Sequence, residues 1–164
     1  MNFRTEIPVE KTDIRIDHQS SLMLFGSCFS QSIGQKLLDG NFNVEVNPFG
    51  VLYNPSSIAK SLRLLLDRKI FMEGDLFEEK GVFSSFHHHS SFSSSDKIEC
   101  LKKINDSAER ASKKLENLDY LIVTFGTAHV FSLKETGEVV SNCHKVPASS
   151  FDRTRLSVSD IVRE

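Results

Sequence analysis

The sequence predicts an α/β domain built on a parallel sheet with crossover helices. Short apolar runs near 22–25 and 44–46 are each followed by a helical pattern, and strand–helix–strand–helix order is the mark of parallel pairing. The most apolar run, Leu121-Ile122-Val123-Thr124-Phe125, reads as a further buried strand after a long helix. Small or polar residues follow each run, at Gly26-Ser27-Cys28, Asn47-Pro48-Phe49-Gly50 and Gly126-Thr127-Ala128-His129. Parallel neighbouring strands would bring these three corners to one rim, where α/β proteins bind ligands.

Leu22-Met23-Leu24-Phe25 is the first strand. Phe29, Ile33 and Leu37 then recur at helical spacing, and Gly40 offers a C-terminal stop. Asn43-Val44-Glu45-Val46 is the second strand. Asn54 is a capping side chain ahead of Pro55, whose missing N–H costs nothing at a helix start. Ile58, Ala59, Leu62, Leu65 and Leu66 mark one face of the helix that follows.

The rhythm breaks between about residues 75 and 95. Ser84 to Ser95 is nearly all serine and histidine with two phenylalanines, and we read it as an insertion that covers the cleft mouth rather than joining the core. It should bring at least one of His87, His88 and His89 close to Ser27. A long helix follows, capped by Asp96 with Glu99 reaching back, and striped by Ile98, Leu101, Ile104, Ala108, Ala111, Leu115 and Leu118. Val130–Leu133 and Val139-Val140 flank a turn containing Gly137, a hairpin signal. Ser157 can cap a last helix from Val158. Only three candidate parallel strands precede it, fewer than a doubly wound sheet uses, so residues 1–164 read as the front part of a larger domain.

Composition narrows the function. The chain has 164 residues, 39% hydrophobic and 26% charged, with a net charge of −2. Nothing in that balance suits a nucleic-acid partner. No apolar run reaches the length of a signal peptide or a membrane span. Cys28, Cys100 and Cys143 are odd in number and widely spaced, as free thiols in a reducing compartment are, so a cytoplasmic location is expected.

Ser27 carries the chemical interest. A hydroxyl at the end of a strand and the start of a helix stands beside the first N–H groups of that helix, as a nucleophile beside anion-stabilising donors does. The same residue is also what a plain helix cap looks like. There is no Gly-x-Ser-x-Gly elbow, no phosphate-binding loop and no Gly-x-Gly-x-x-Gly. Three consecutive histidines cannot all face one ion, so no metal and no cofactor is expected. Instead one or two of them line the cleft, and we assign His88 to substrate contact. His129, just past the third corner, is either a second cleft residue or a surface histidine. Cys143 and His144 point to opposite sides of an extended segment and do not form a pair as neighbours.

Taken together, Gly26-Ser27-Cys28-Phe29, Asn47-Pro48-Phe49-Gly50-Val51-Leu52-Tyr53-Asn54-Pro55, His87-His88-His89-Ser90-Ser91-Phe92, Phe125-Gly126-Thr127-Ala128 and Asn142-Cys143-His144-Lys145-Val146-Pro147 resemble the GSCFA domain family, related to the SGNH/GDSL hydrolases. The resemblance implies a three-layer α/β/α fold with a mainly parallel sheet. It also implies serine-dependent hydrolysis of an ester or acyl group on a small or carbohydrate-like substrate. By it, Ser27 matches the nucleophile and Gly50 the oxyanion glycine. Gly126 and Thr127 fall where SGNH enzymes carry a Gly-x-Asn block, but no asparagine follows at the expected place, which leaves Asn47 or Asn142 to supply a side-chain donor. Ser30 stands where the naming motif usually has alanine, and His129 where tryptophan is common. No Asp-x-x-His occurs, so the base is expected beyond Glu164 and the chain by itself is expected to be nearly inactive. The alternative is a non-catalytic module that binds a sugar or acyl group in the same cleft. The sequence gives no sign of an oligomeric state.

Overall fold

The computed structural model describes residues 7–8 and 11–164. Strand β1 (Leu22–Gly26) is the middle of a three-stranded parallel sheet, with β2 (Val44–Val46) on one side and β5 (Tyr120–Thr124) on the other. All five residues of β1 are buried, as its unbroken apolar run requires. The parallel placement expected of these three runs is what the structure contains. β5, however, is an edge rather than a buried strand, and its Leu121 is 42% exposed.

Helix α1 (Cys28–Asp39) joins β1 to β2, capped by Ser27 and closed by Gly40. Its buried face is not the expected Phe29–Ile33–Leu37 stripe but Ser30 and Gly34. A methyl group on Gly34 would lie 2.5 Å from both Val46 methyls, so the helix approaches the sheet through its smallest residues. That rotation turns Phe29 outward, 61% exposed. Cys28, expected to pack beneath the corner, is exposed too.

Helix α2 (Pro55–Leu66) starts as expected: the Asn54 side chain accepts from the Ser57 N–H at 2.8 Å. Ile58 and Leu65 enter the core, while Leu66 faces out. Helix α3 (Lys97–Leu115) packs on α2 and buries Cys100, Ile104, Ala108 and Ala111. Asp96 caps it by accepting from the Ile98 and Glu99 N–H groups. Glu99 does not reach back to Asp96, whose N–H is bonded to Ser94 Oγ at 3.1 Å, and Ile98 is exposed.

The segment between α2 and α3 overturns one expectation. β3 (Phe77–Glu79) and β4 (Val82–Ser84) form a hairpin whose two turn residues, Lys80 and Gly81, have φ of 53° and 76°, the geometry that suits a tight antiparallel turn. The middle of the serine–histidine strip after it joins the core, while His89 lines a cavity and Ser90, Ser91 and Ser95 stay exposed. His88 is 1% exposed, stacks on Phe49 at 4.5 Å between centroids and meets Phe71 edge-on at 4.9 Å. Polar residues can be buried here because they pair internally: Ser84 with Ser93 at 2.8 Å, and Ser85 with His88 Nδ1 at 3.1 Å.

β6 (His129–Leu133) and β7 (Val139–Val140) form the expected hairpin. β8 (Phe151–Arg155) adds to the other edge of β6, antiparallel, a strand that no sequence pattern marks. Only Phe151 of this strand is buried, so it lacks the apolar alternation that marks strands. Among the described residues β3, β4, β6, β7 and β8 thus form two small antiparallel sheets beside the parallel one, and the sequence pattern marks them only in part. Helix α4 (Val158–Arg163) is capped by Ser157 and Asp160 acting reciprocally. Among the described residues no helix is long and apolar enough to cross a membrane.

Candidate functional site

Because β1, β2 and β5 run parallel, the corners after them share one rim, and main-chain hydrogen bonds tie them together. Leu52 N–H donates to Gly26 O at 2.9 Å. The carbonyl of Tyr53 accepts from both Gly126 N–H at 2.8 Å and Thr127 N–H at 3.1 Å. Gly26 N–H donates to the Asn47 side chain at 2.9 Å.

Asn47 is therefore part of the frame and not the substrate ligand expected of it. It is 4% exposed, has φ of 45°, and spends its Nδ2 on Gln31 Oε1 at 3.0 Å. Asn47→Ala strands the buried Gly26 N–H, and a loss of about 2–3 kcal/mol is expected in urea unfolding. An unchanged midpoint would mean that this side chain carries no structural load.

Ser27 is half-buried at the end of β1. Its Oγ accepts from Phe29 N–H at 3.3 Å, and among the described residues no imidazole hydrogen-bonds to it. Gly126 lies directly beside it: a methyl group there would sit 3.7 Å from Ser27 Cβ and 2.9 Å from the Tyr53 ring. Ser30, in place of the alanine usual in the motif, bridges α1 to β5 through Thr124 Oγ1 at 2.7 Å.

The remaining glycine corners do not offer free donors. Gly50 N–H closes the turn onto Asn47 O at 2.7 Å, and the Gly126 and Thr127 N–H groups are held by Tyr53. As oxyanion donors all three are already engaged. What Gly50 supplies is room: with φ of 79°, a methyl group on it would meet His89 Cβ at 2.3 Å.

A cavity of about 310 Å³ opens behind Tyr53, lined among others by His89, Thr127, His129, Asn142 and Cys143. His129 and Asn142 line this cavity, whose walls do not include Ser27. The His129 N–H donates to Thr127 Oγ1 at 3.1 Å, and Asn142 Oδ1 accepts from His144 N–H at 2.7 Å. His88 does not line it. Burial, reinforced by the neighbouring His87 and His144, pushes the His88 pKa down to about 3, so it is a neutral core ring and not a substrate contact. Burial also lowers His144 and raises the Cys143 thiol, so the neighbouring pair stays neutral. Among the described residues no group of three or more histidine, cysteine, aspartate or glutamate side chains is placed to hold a metal ion.

Tyr53 and His89 carry more of the site than their sequence context signals. The signal for Tyr53 was its place between Gly50 and the Asn54 cap, an extended stretch that has to run along the rim. Nothing in the sequence separates His89 from His88.

No curated protein and no solved structure matches the chain. The GSCFA family model matches residues 21–164, which takes in every strand, helix and corner described above. The chain belongs to the GSCFA family.

Proposed function

We propose that Ser27 is the nucleophile of an SGNH-type serine hydrolase acting on an ester or acyl group. The observation that supports this most is the placement of Ser27: the carboxyl end of the central strand, the N-cap of α1, and a position beside Gly126, where a methyl group would lie 3.7 Å from Ser27 Cβ. The developing oxyanion would be met by the first turn of α1. Its Phe29 N–H, now held by Ser27 Oγ, is released as that oxygen turns to attack. The acyl group would occupy the cavity behind Tyr53. A three-layer α/β/α arrangement and a cytoplasmic setting belong to the same reading, the latter resting on the free thiols of Cys28, Cys100 and Cys143.

One observation favours a second reading, a binding module that uses the same cleft without turnover. Ser27 Oγ serves a capping bond, and among the described residues no imidazole hydrogen-bonds to it. General-base assistance is worth about a hundred- to ten-thousand-fold, so the chain should turn over p-nitrophenyl acetate barely above buffer. A fluorophosphonate probe reads nucleophilicity separately from turnover. It should slowly modify Ser27, located by peptide mass, and leave no adduct on that peptide in Ser27→Ala. A folded chain that stays unmodified at Ser27 after long exposure would leave the binding module as the function. Rapid turnover that depends on Ser27 would assign the base to His89 or His129.

A further inference from the structure

A second cavity, of about 560 Å³, lies away from Ser27 under the β3–β4 hairpin. Its lining includes Phe77, Val82, Ser90, Asn142, His144 and Lys145. It is separate from the cavity behind Tyr53 yet adjoins it: Asn142 borders both, and His89 and Ser90 stand on successive sides. Its volume is in the range of small-molecule sites.

The walls are fixed before any ligand arrives. The hairpin is clamped to the strip beside it by Phe83 N–H to Ser94 O at 2.8 Å and by the Ser84–Ser93 hydroxyl pair. The opposite wall is held by His144 Nε2–H, which donates to Ser85 O at 2.9 Å, and by Ser141 N–H to Phe86 O at 2.8 Å. A pre-formed pocket spares a ligand the cost of ordering it.

Its chemistry is specific. Phe77 offers a single platform, because Phe86 already stacks on one of its faces at 4.0 Å. That suits one saturated ring: the other aromatic of the lining, His144, meets Phe77 edge-on at 5.4 Å and is not placed to sandwich a planar base. The hydroxyls of Ser90 and Ser93 and the Asn142 side chain supply hydrogen bonds. Asn142 Oδ1 is taken by His144 N–H, and among the described residues its NH2 has no partner. At the mouth, Glu79 leans on Lys80 at 4.0 Å, while Lys145 makes no ion pair among the described residues. One ammonium is thus left uncompensated beside a hydroxyl-rich, single-platform pocket.

We propose that this pocket binds a sugar-sized polyol carrying one anionic group, with the ring over Phe77 and Val82 and the anion at Lys145. The site is independent of any reaction at Ser27. A free carboxylate and a phosphate share this chemistry, and the ligands tested separate them.

The test is an amide chemical-shift titration of the whole chain with glucuronate, glucose 6-phosphate and glucose. One or both anions should shift Gly81, Val82, Asn142 and Lys145, and the tighter of the two identifies the anion. Glucose should bind roughly tenfold more weakly, the value of one charge-assisted contact. Lys145→Glu, an exposed change, should erase the preference for the anion. Val82→Trp, on the exposed hairpin, should fill the pocket and remove binding of all three. Equal affinity for glucose and both anions, or a preference that survives Lys145→Glu, would overturn the anionic assignment. Shifts confined to other surfaces, or none at millimolar ligand, would overturn the site.

Discussion

Gly26→Ala should remove a large part of the stability of this domain. A methyl group at that position would stand 2.2 Å from Thr124 Oγ1, 2.4 Å from Thr124 O and 2.9 Å from Ser30 Oγ. The first and third are side-chain atoms that can shift, but the second is a carbonyl of the neighbouring strand. Relief would require β1 and β5 to part where the Gly26↔Thr124 register pairs them. The backbone adds its own penalty, since Gly26 has φ of 147°. Overpacking alone costs about 1–3 kcal/mol, and the strained backbone comes on top of it. A loss of more than about 3 kcal/mol is a large part of the stability of an ordinary domain. Urea unfolding followed by circular dichroism should therefore show a midpoint far below the parent's, with a loss of more than about 3 kcal/mol. A loss under about 1 kcal/mol would mean that β1 and β5 are not in this close contact.

Acid should unfold the protein through a ring that has no part in its surface chemistry. The His88 pKa lies at about 3 in the folded protein, against an ordinary 6.5, because burial opposes its charged form. Between those values the unfolded chain takes up a proton that the folded chain refuses, so stability rises with pH there. The contribution is complete above about pH 6.5, fades as pH falls, and is gone below about pH 3. Its full size is about 5 kcal/mol, with His87 and His144, also lowered by burial, acting in the same direction. Carboxylates held low by their partners, such as Glu138 beside Lys60, add their own acid sensitivity only at lower pH. His88→Phe keeps a ring against Phe49 and removes the titrating group, including a buried Nε2 that lacks a partner among the described residues. Its stability should therefore fall less than the parent's between pH 6.5 and 4.5. Parallel curves for the two proteins would refute the assignment.

What was legible in the sequence was mostly local. Caps are read from one or two residues, and Ser27, Asn54, Asp96 and Ser157 all cap the helices assigned to them. The three parallel strands and their shared rim followed from apolar runs that end abruptly. What stayed hidden depends on partners distant in sequence. The inward face of α1 was set by how closely Gly34 lets it approach Val46, which no periodicity reports. β8 is a strand because β6 had an open edge, not because its residues alternate. His88 is core because Phe49 and Phe71 converge on it from other segments. Asn47 was correctly placed at the rim but given the wrong task, because its hydrogen-bond partners belong to β1 and α1.

The twofold use of the Tyr53 carbonyl has a consequence for how such a rim can change over generations. The position of the third corner is written in peptide groups, and peptide groups are indifferent to which side chain they carry. Mutation can thus exchange the Tyr53 ring, the His129 imidazole or the Asn142 amide, altering what the neighbouring hollow accepts, while the peptide ties that hold Gly126 beside Ser27 stay as they are. A lineage built this way keeps the Ser27 corner constant and leaves the shape of the neighbouring hollow free to drift.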